Sequence, residues 1–295
     1  MKSRWLEKTA AVLCAICLAV GVMSGVVFAR DEEPGGASGE IALPEATFVI
    51  VDEASEEAET VVTEVTDNRN VLPLSVNGEQ VSTCVLIDGV PFVNPEVLLS
   101  ALGAEAVSVE AEIGAEYFVC NGRYFYVDGG VPSVGGELRL PVEQLAECLG
   151  IVVVWDRVQW TMSVEAGEYA LPESGDVYYN ETDLYWLSRV IYAEAGNQSL
   201  EGQIAVGNVV LHRVASQDFA GQDTVYDVIF AKNQFDVVAN GMIYMEPSES
   251  AVIAAKIALE GCDVVSGAEY FATFDFGEGY ECVAWIGDHC FMTAA

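Results

Sequence analysis

The chain has 295 residues, 52% of them hydrophobic and 20% charged, so it can bury real cores and is not disordered as a whole. Its net charge of −34 leaves no basic stripe to displace counterions from phosphates, which excludes nucleic acid as a partner and gives no electrostatic help towards anionic polymers. The excess of acid reads as solubility and self-repulsion in a salty medium.

The first element is a leader. MKSRWLEK supplies a basic end, Thr9 to Val27 an apolar run and Ala29 a small exit residue, the three parts of a secretory signal, with cleavage expected after Ala29. The run 9–27 is also long enough to span a bilayer, so an uncleaved N-terminal anchor is the alternative. Both place the rest of the chain outside the cytoplasm. Cys14 and Cys17 read as hydrophobic filler within this segment. Residues 30–70, beginning RDEEPGGASGE, are acidic and lack lasting periodicity, which predicts a flexible linker with no recognisable calcium loop.

Residues 71–166 read as short strands broken by NG, DG and GG turns: LPLSVNG, CVLIDG, YFVCNG, RYFYVDGG, VVVWDRV and WTMSVE. Two segments repeat, PFVNPEVLLSALGAE and LRLPVEQLAECLGIV, each a strand end, a short helix and a Leu-Gly stop. This plan resembles the copper amine oxidase N-terminal-like domain, an accessory module of exported bacterial proteins. The region has no histidine, so no copper site is expected despite that name. A second linker is expected over 167–180.

From residue 181 to 295 the pattern turns helical. TDLYWLSRVIYAEAG lacks interior Gly and Pro, carries Asp183 in its first turn and ends at Gly196. Leu184, Leu187, Ile191 and Ala195 recur at helical spacing and define a buried face. Glu194, seven residues after Leu187, belongs to that face, and a carboxylate there loses hydration. Burial and the negative end of the helix dipole both raise its pKa, which keeps a proton available near neutrality for general-acid work. The plainer reading is a solvent-facing glutamate, or one paired with Arg189 or Arg213. Further on, LEGQIAVGNVVLHRV predicts a helix capped by Ser199, with Ile204, Gly207, Leu211 and Val214 on one stripe and Gly207 admitting a close neighbour. PSESAVIAAKIALEG predicts another, starting at Pro247 or Ser248 and stopping at Gly261.

Three stretches, AEAGNQSLEGQIAVGNVVLHRV, NQFDVVANGMIYMEPSESAVIAAKIALEG and IGDHCFM, resemble the catalytic domain of the SleB/CwlJ family of spore cortex-lytic and cell wall hydrolases. The resemblance implies a mainly α-helical, lysozyme-like catalytic domain. It also implies Glu194 as the catalytic acid of a lytic transglycosylase, cutting between muramic acid and N-acetylglucosamine with one carboxylate. Gln203, Gln234, Phe235 and Tyr192 are the matching candidates for substrate binding, with packing as their plainer role. Tyr244 and Tyr270 are further cleft candidates. His212 stands where the family usually has Asn. A structural hydrogen bond is expected for His289.

An ordinary glycosidase would add a second carboxylate from Glu201, Asp236 or Asp288. Zinc ligation by His212, His289, Cys282 and Cys290 lacks ligand spacing, and a Cys290–His289 peptidase is disfavoured because strand neighbours point to opposite faces. The six exported cysteines, Cys84, Cys120 and Cys148, then Cys262, Cys282 and Cys290, fall three to each half, which leaves their pairing open.

The expected architecture is multidomain: a small, strand-rich α/β accessory domain followed by the helical domain. The expected partner is the glycan strand of peptidoglycan, with no metal, cofactor or nucleic acid, and membrane only through residues 9–27. A wall-binding protein with a degenerate hydrolase domain is the rival from another class.

Overall fold

The computed structural model describes residues 70–165 and 173–295, together with the backbone of 48–51. The predicted leader 1–29 lies outside the described residues, as does all of 30–70 except 48–51 and Asn70.

Strand β1 (Phe48–Val51) falls inside the segment read as a flexible linker and pairs parallel with β11 (Val152–Asp156). The first domain continues with β2 (Val71–Val76), β3 (Glu79–Ile87), β4 (Val90–Val93) and helix α1 (Pro95–Leu102). Strands β5 (Val109–Glu110), β6 (Tyr117–Cys120), β7 (Arg123–Tyr126), β8 (Ser133–Val134), β9 (Glu137–Leu138) and β10 (Leu140–Pro141) follow. Helix α2 (Val142–Leu149) precedes β11, and β12 (Thr161–Glu165) ends the domain. Its main sheet has the order β1-β11-β12-β2-β3-β4-β10, with β5-β6-β7 as a separate three-stranded sheet.

Local chemistry explains the hairpins. Asn77-Gly78, Asp88-Gly89 and Asn121-Gly122 all take positive φ at both positions, the backbone that a tight two-residue hairpin needs. Both repeated segments form helices that end on left-handed glycines, Gly103 at φ 66° and Gly150 at φ 63°. Leu98, Leu102, Leu145 and Leu149 point from α1 and α2 into a core with Leu72, Leu74, Phe118 and Val153.

The second domain holds α3 (Gly175–Tyr178), α4 (Glu181–Ala195), α5 (Leu200–Ala215), α6 (Val225–Phe230), α7 (Asp236–Ala239), a 3-10 turn (Met242–Tyr244) and α8 (Glu249–Leu259). It closes with β13 (Tyr270–Ala272), β14 (Tyr280–Ile286) and β15 (His289–Ala294) in the order β13-β15-β14, a sheet that the helical reading did not foresee. Helix α5 also differs from its predicted single stripe: every residue from Gly202 to Leu211 is buried, so it is the central helix of the domain. Ser199 caps it by accepting from the Gly202 amide at 3.2 Å. A Cβ on Gly207 would meet Ala258 Cβ and Ile191 Cδ1 at 3.1 Å, so this glycine sets how closely α4 and α8 approach α5.

The described end of the predicted second linker, residues 173–180, is a docked joint. Gly175 donates to the Asn121 carbonyl at 2.9 Å, and any side chain at 175 would run into the Gly122 carbonyl. Tyr179 is buried, its hydroxyl accepting from the Tyr124 amide at 2.9 Å and donating to Glu260 Oε1 at 2.6 Å. Arg123, from the first domain, donates from Nε to Glu260 at 3.1 Å and from its terminal nitrogen at 2.6 Å. Arg123 and Glu260 are each only 5% exposed. Burial opposes the Arg123 charge, but the hydrogen bonds and charge of Glu260 outweigh it, so its pKa is raised. A buried ion pair thus joins the strand-rich N-terminal region to the helical C-terminal part.

The cysteines pair within each domain, as Cys120–Cys148 and Cys282–Cys290. Cys84 and Cys262 stay free, and burial pushes both thiols up to about 12. Among the described residues no helix is long and apolar enough to cross a membrane.

Candidate active site

Helix α4 starts at Asn180, whose side chain accepts from the amides of Thr182 and Asp183 at 3.0 and 3.1 Å. Its buried face holds Leu187, Ile191 and Ala195, all fully covered, with Leu184 partly so. Glu194 sits on this side in the last turn and is half-buried. Among the described residues nothing donates a hydrogen bond to its carboxylate. Burial raises its pKa, the charge of Asp236 raises it further, and Arg213 opposes both. Gly196 stops the helix without a left-handed turn, at φ −61°. It is small because a Cβ there would lie 2.9 Å from the Tyr192 ring.

Arg213 is the cation whose charge Glu194 feels. It is buried at 6% exposure, donates from Nε to the Glu269 carbonyl at 2.7 Å and from NH1 to Gln234 Oε1 at 3.2 Å. The rings of Phe219, Phe235 and Tyr270 surround it at 5.1, 5.2 and 5.7 Å. Gln234 and Phe235, read from sequence as glycan contacts, therefore hold the arginine that Glu194 senses. Arg189 takes no part: it binds Glu246 at 2.8 Å and lies over Tyr185 at 3.7 Å.

Two other candidates are positioned differently from the reading. Gln203 is 3% exposed, donates to the Gln198 carbonyl at 2.9 Å and accepts from Ser250 at 3.0 Å. Burial leaves its amide bracing the start of α5 against α8, with no face for a sugar. Tyr192 is two residues from Glu194, and side chains at that spacing point to different sides of a helix. It packs on Gly196 and the core instead.

The three possible second carboxylates also separate. Asp288 accepts from Gln198 Nε2 at 3.1 Å while its amide donates to Gln198 Oε1 at 3.1 Å, which fastens the β14–β15 turn to the loop after Glu194. Glu201 occupies the first turn of α5, with Tyr126 of the first domain feeling its charge. Asp236, exposed at the start of α7, is the one that acts on Glu194.

The two histidines are apart from this centre. His212 has both ring nitrogens against acceptors, Ala268 O at 2.8 Å and Asp263 Oδ2 at 3.1 Å. Burial lowers its pKa, but the Asp263 contact overrides this and leaves it raised. The structural hydrogen bond expected for His289 is absent at Nδ1, which has no partner; the ring packs on Phe271 at 5.3 Å, and burial lowers its pKa. No group of three metal-binding side chains occurs among the described residues.

The sequence reading names Arg213 only as a partner of Glu194 under the plainer reading, and does not count it among the site residues. The available signal is an arginine within a largely apolar helix, where a buried charge needs a partner.

A helical domain whose central layer ends on one desolvated, unpartnered glutamate, opposed by one caged arginine, has the makings of a single proton-donor site. The profile of the cell wall hydrolase family matches residues 197–292, beginning three residues after Glu194. The C-terminal domain of this chain belongs to that family and is homologous to the SleB/CwlJ enzymes. The spore cortex-lytic enzyme of Halalkalibacterium halodurans is 40% identical over 93 residues, covering 32% of this chain and 28% of that protein. That of Bacillus subtilis is 35% identical over 118 residues, 38% of each chain. The crystal structure of the catalytic domain of the Bacillus cereus SleB protein aligns with 33% identity and a TM-score of 0.36, covering 39% of this chain and 92% of that one. The chain spans about a third of the length of the spore cortex-lytic enzymes it matches.

Proposed function

We propose that the protein is an exported enzyme that cleaves the glycan strands of spore cortex peptidoglycan, at the bond from muramic acid to N-acetylglucosamine, by a lytic transglycosylase reaction. The observation that carries this reading is the state of Glu194: half-buried, without a hydrogen-bond donor among the described residues, and with its pKa raised by burial and by Asp236. Such a carboxyl keeps its proton to higher pH than an exposed one, as a general acid requires.

Glu194 gives its proton to the glycosidic oxygen as the bond from that oxygen to C1 of the muramic residue breaks. The C6 hydroxyl oxygen of the same residue then bonds to C1, and the hydroxyl proton returns to Glu194. The carboxyl ends as it began and no water is consumed. The tethered state of Asp288 and the place of Glu201 near Tyr126 support a one-carboxylate scheme and leave Asp236, of the three, as the candidate for a second carboxylate. Homology to spore cortex-lytic enzymes supports the choice of substrate. The leader over residues 1–29 supports export.

The test is digestion of purified cortex peptidoglycan by the chain and by Glu194→Gln, with mass spectrometry of the products. Anhydromuramic ends that vanish in the variant are expected. Reducing muramic ends would replace the transglycosylase step by hydrolysis and make Asp236 the candidate base. No fragments at all would sink the enzymatic reading in favour of a wall-binding role.

A further inference from the structure

We infer that a line of aromatic rings leading outward from Arg213, through Tyr270, Tyr280 and Phe276 to Phe274, is a saccharide-binding track for the glycan strand beyond the bond attacked at Glu194. This deepens the peptidoglycan-cleaving reading and rests on it. The rings follow one another without a gap: Arg213 to Tyr270 at 5.7 Å, Tyr270 to Tyr280 at 5.1 Å, Tyr280 to Phe276 at 5.0 Å and Phe276 to Phe274 at 5.5 Å. Arg213 and Glu194 feel each other's charge, so the buried inner end of the line lies on the side of the candidate catalytic group. The outer end is in water, with Tyr280 37%, Phe276 40% and Phe274 61% exposed.

Rings held out in this way are not a by-product of a loose loop. The Gly277 amide donates to Asp275 at 2.8 Å, the Tyr280 amide to the Gly277 carbonyl at 3.0 Å, and the Ala295 amide to the Gly279 carbonyl at 3.0 Å. The Phe276 amide meets Met292 Sδ at 3.4 Å. A contiguous exposed apolar patch on a bonded loop marks a surface that something covers.

The surrounding charge selects the occupant. Asp275, Glu278 and Glu281 are exposed around the rings, on a chain of net charge −34. An anionic lipid surface would be repelled. A second copy docked through the same patch would bring like charges together across a two-fold axis. The face of an N-acetylhexosamine ring is uncharged and lined with C–H groups, so it stacks on aromatic faces without opposing that field.

The test uses the full chain carrying Glu194→Gln, so that bound strands stay intact, and measures co-sedimentation with insoluble peptidoglycan sacculi. Adding Phe274→Ala and Phe276→Ala is expected to weaken binding about tenfold or more. Replacing both by Tyr keeps the rings and is expected to restore binding. Sacculus binding that is unchanged by the alanine pair overturns the track, while cleavage by the unmutated chain would leave the underlying reading standing. Loss of binding to phosphatidylglycerol vesicles, or of self-association in sedimentation velocity, with sacculus binding intact, overturns it in favour of those occupants. Failure of the unmutated chain to cleave sacculi overturns the peptidoglycan-cleaving reading, and the track's stated role with it.

Discussion

The ion pair between the domains gives the sharpest stability test. Replacing Glu260 by Leu roughly keeps volume but removes the carboxylate that accepts the hydrogen bonds of Arg123 and of the Tyr179 hydroxyl. Arg123, 5% exposed, is then left with the Glu147 carbonyl at 3.4 Å and the Glu147 carboxylate at 3.8 Å. Breaking a buried pair from one side costs about 3–5 kcal/mol where the remaining charge is uncompensated, and the Glu147 contacts at 3.4 and 3.8 Å place the expected cost at the lower end, about 3 kcal/mol. At about 2.1 cal/mol/K per residue that range corresponds to a fall in Tm of about 5–8 °C for a chain of 295 residues. The double replacement Arg123→Met with Glu260→Leu removes both charges, so most of the loss is expected to return, giving a coupling of several kcal/mol in the double-mutant cycle. Urea unfolding followed by circular dichroism reads all four proteins. A Glu260→Leu midpoint within about 0.5 kcal/mol of the parent, or costs that simply add in the double variant, would refute the buried-pair argument.

Three further outcomes are expected. His212 has a raised folded-state pKa, so its stabilising contribution is full below the ordinary histidine value and is lost as pH rises through the folded value. Urea midpoints of the parent and His212→Asn should therefore converge on raising the pH, and a constant gap would count against the imidazolium contact with Asp263. Because Asp236 raises the Glu194 pKa, Asp236→Asn should move the alkaline limb of the pH–rate profile to lower pH, and a limb that stays fixed or moves up would contradict the assigned coupling. Opening the Cys120–Cys148 bridge, which spans 28 residues, by Ser substitution of both should cost about 3–4 kcal/mol in chemical denaturation; an unchanged midpoint would mean the bridge constrains nothing.

What the sequence disclosed was what local chemistry controls. Asn-Gly and Asp-Gly pairs need no tertiary context to make a hairpin turn, and Gly103 and Gly150 end their helices through their own left-handed backbone. Glu194 stood out for the same reason: a carboxylate on the apolar face of a helix breaks a local pattern. The joint between domains was hidden because Arg123 and Glu260 are 137 residues apart. Nothing near either one announces the other. The burial of α5 on every side was hidden differently. Asn208 and Gln203 interrupt its apolar run, and their polarity is absorbed by distant partners, Asn208 donating to Cys262 O at 2.6 Å and accepting from the Val264 amide at 3.0 Å.

That last point bears on how polar residues around Glu194 divide their work. Gln203 and Gln234 are chemically suited to sugar hydroxyls, yet Gln203 is spent on Gln198 and Ser250, and Gln234 gives its oxygen to Arg213. Each such bond removes a degree of freedom from the segments that flank Glu194: the start of α5, the β14–β15 turn through Gln198, and the loop carrying Asp236. Groups already fixed in place cost no reorganisation at the moment charge develops. The amide network supplies that rigidity, and under the proposed saccharide track contact with substrate falls to groups that remain exposed, the aromatic rings of Tyr280, Phe276 and Phe274 among them.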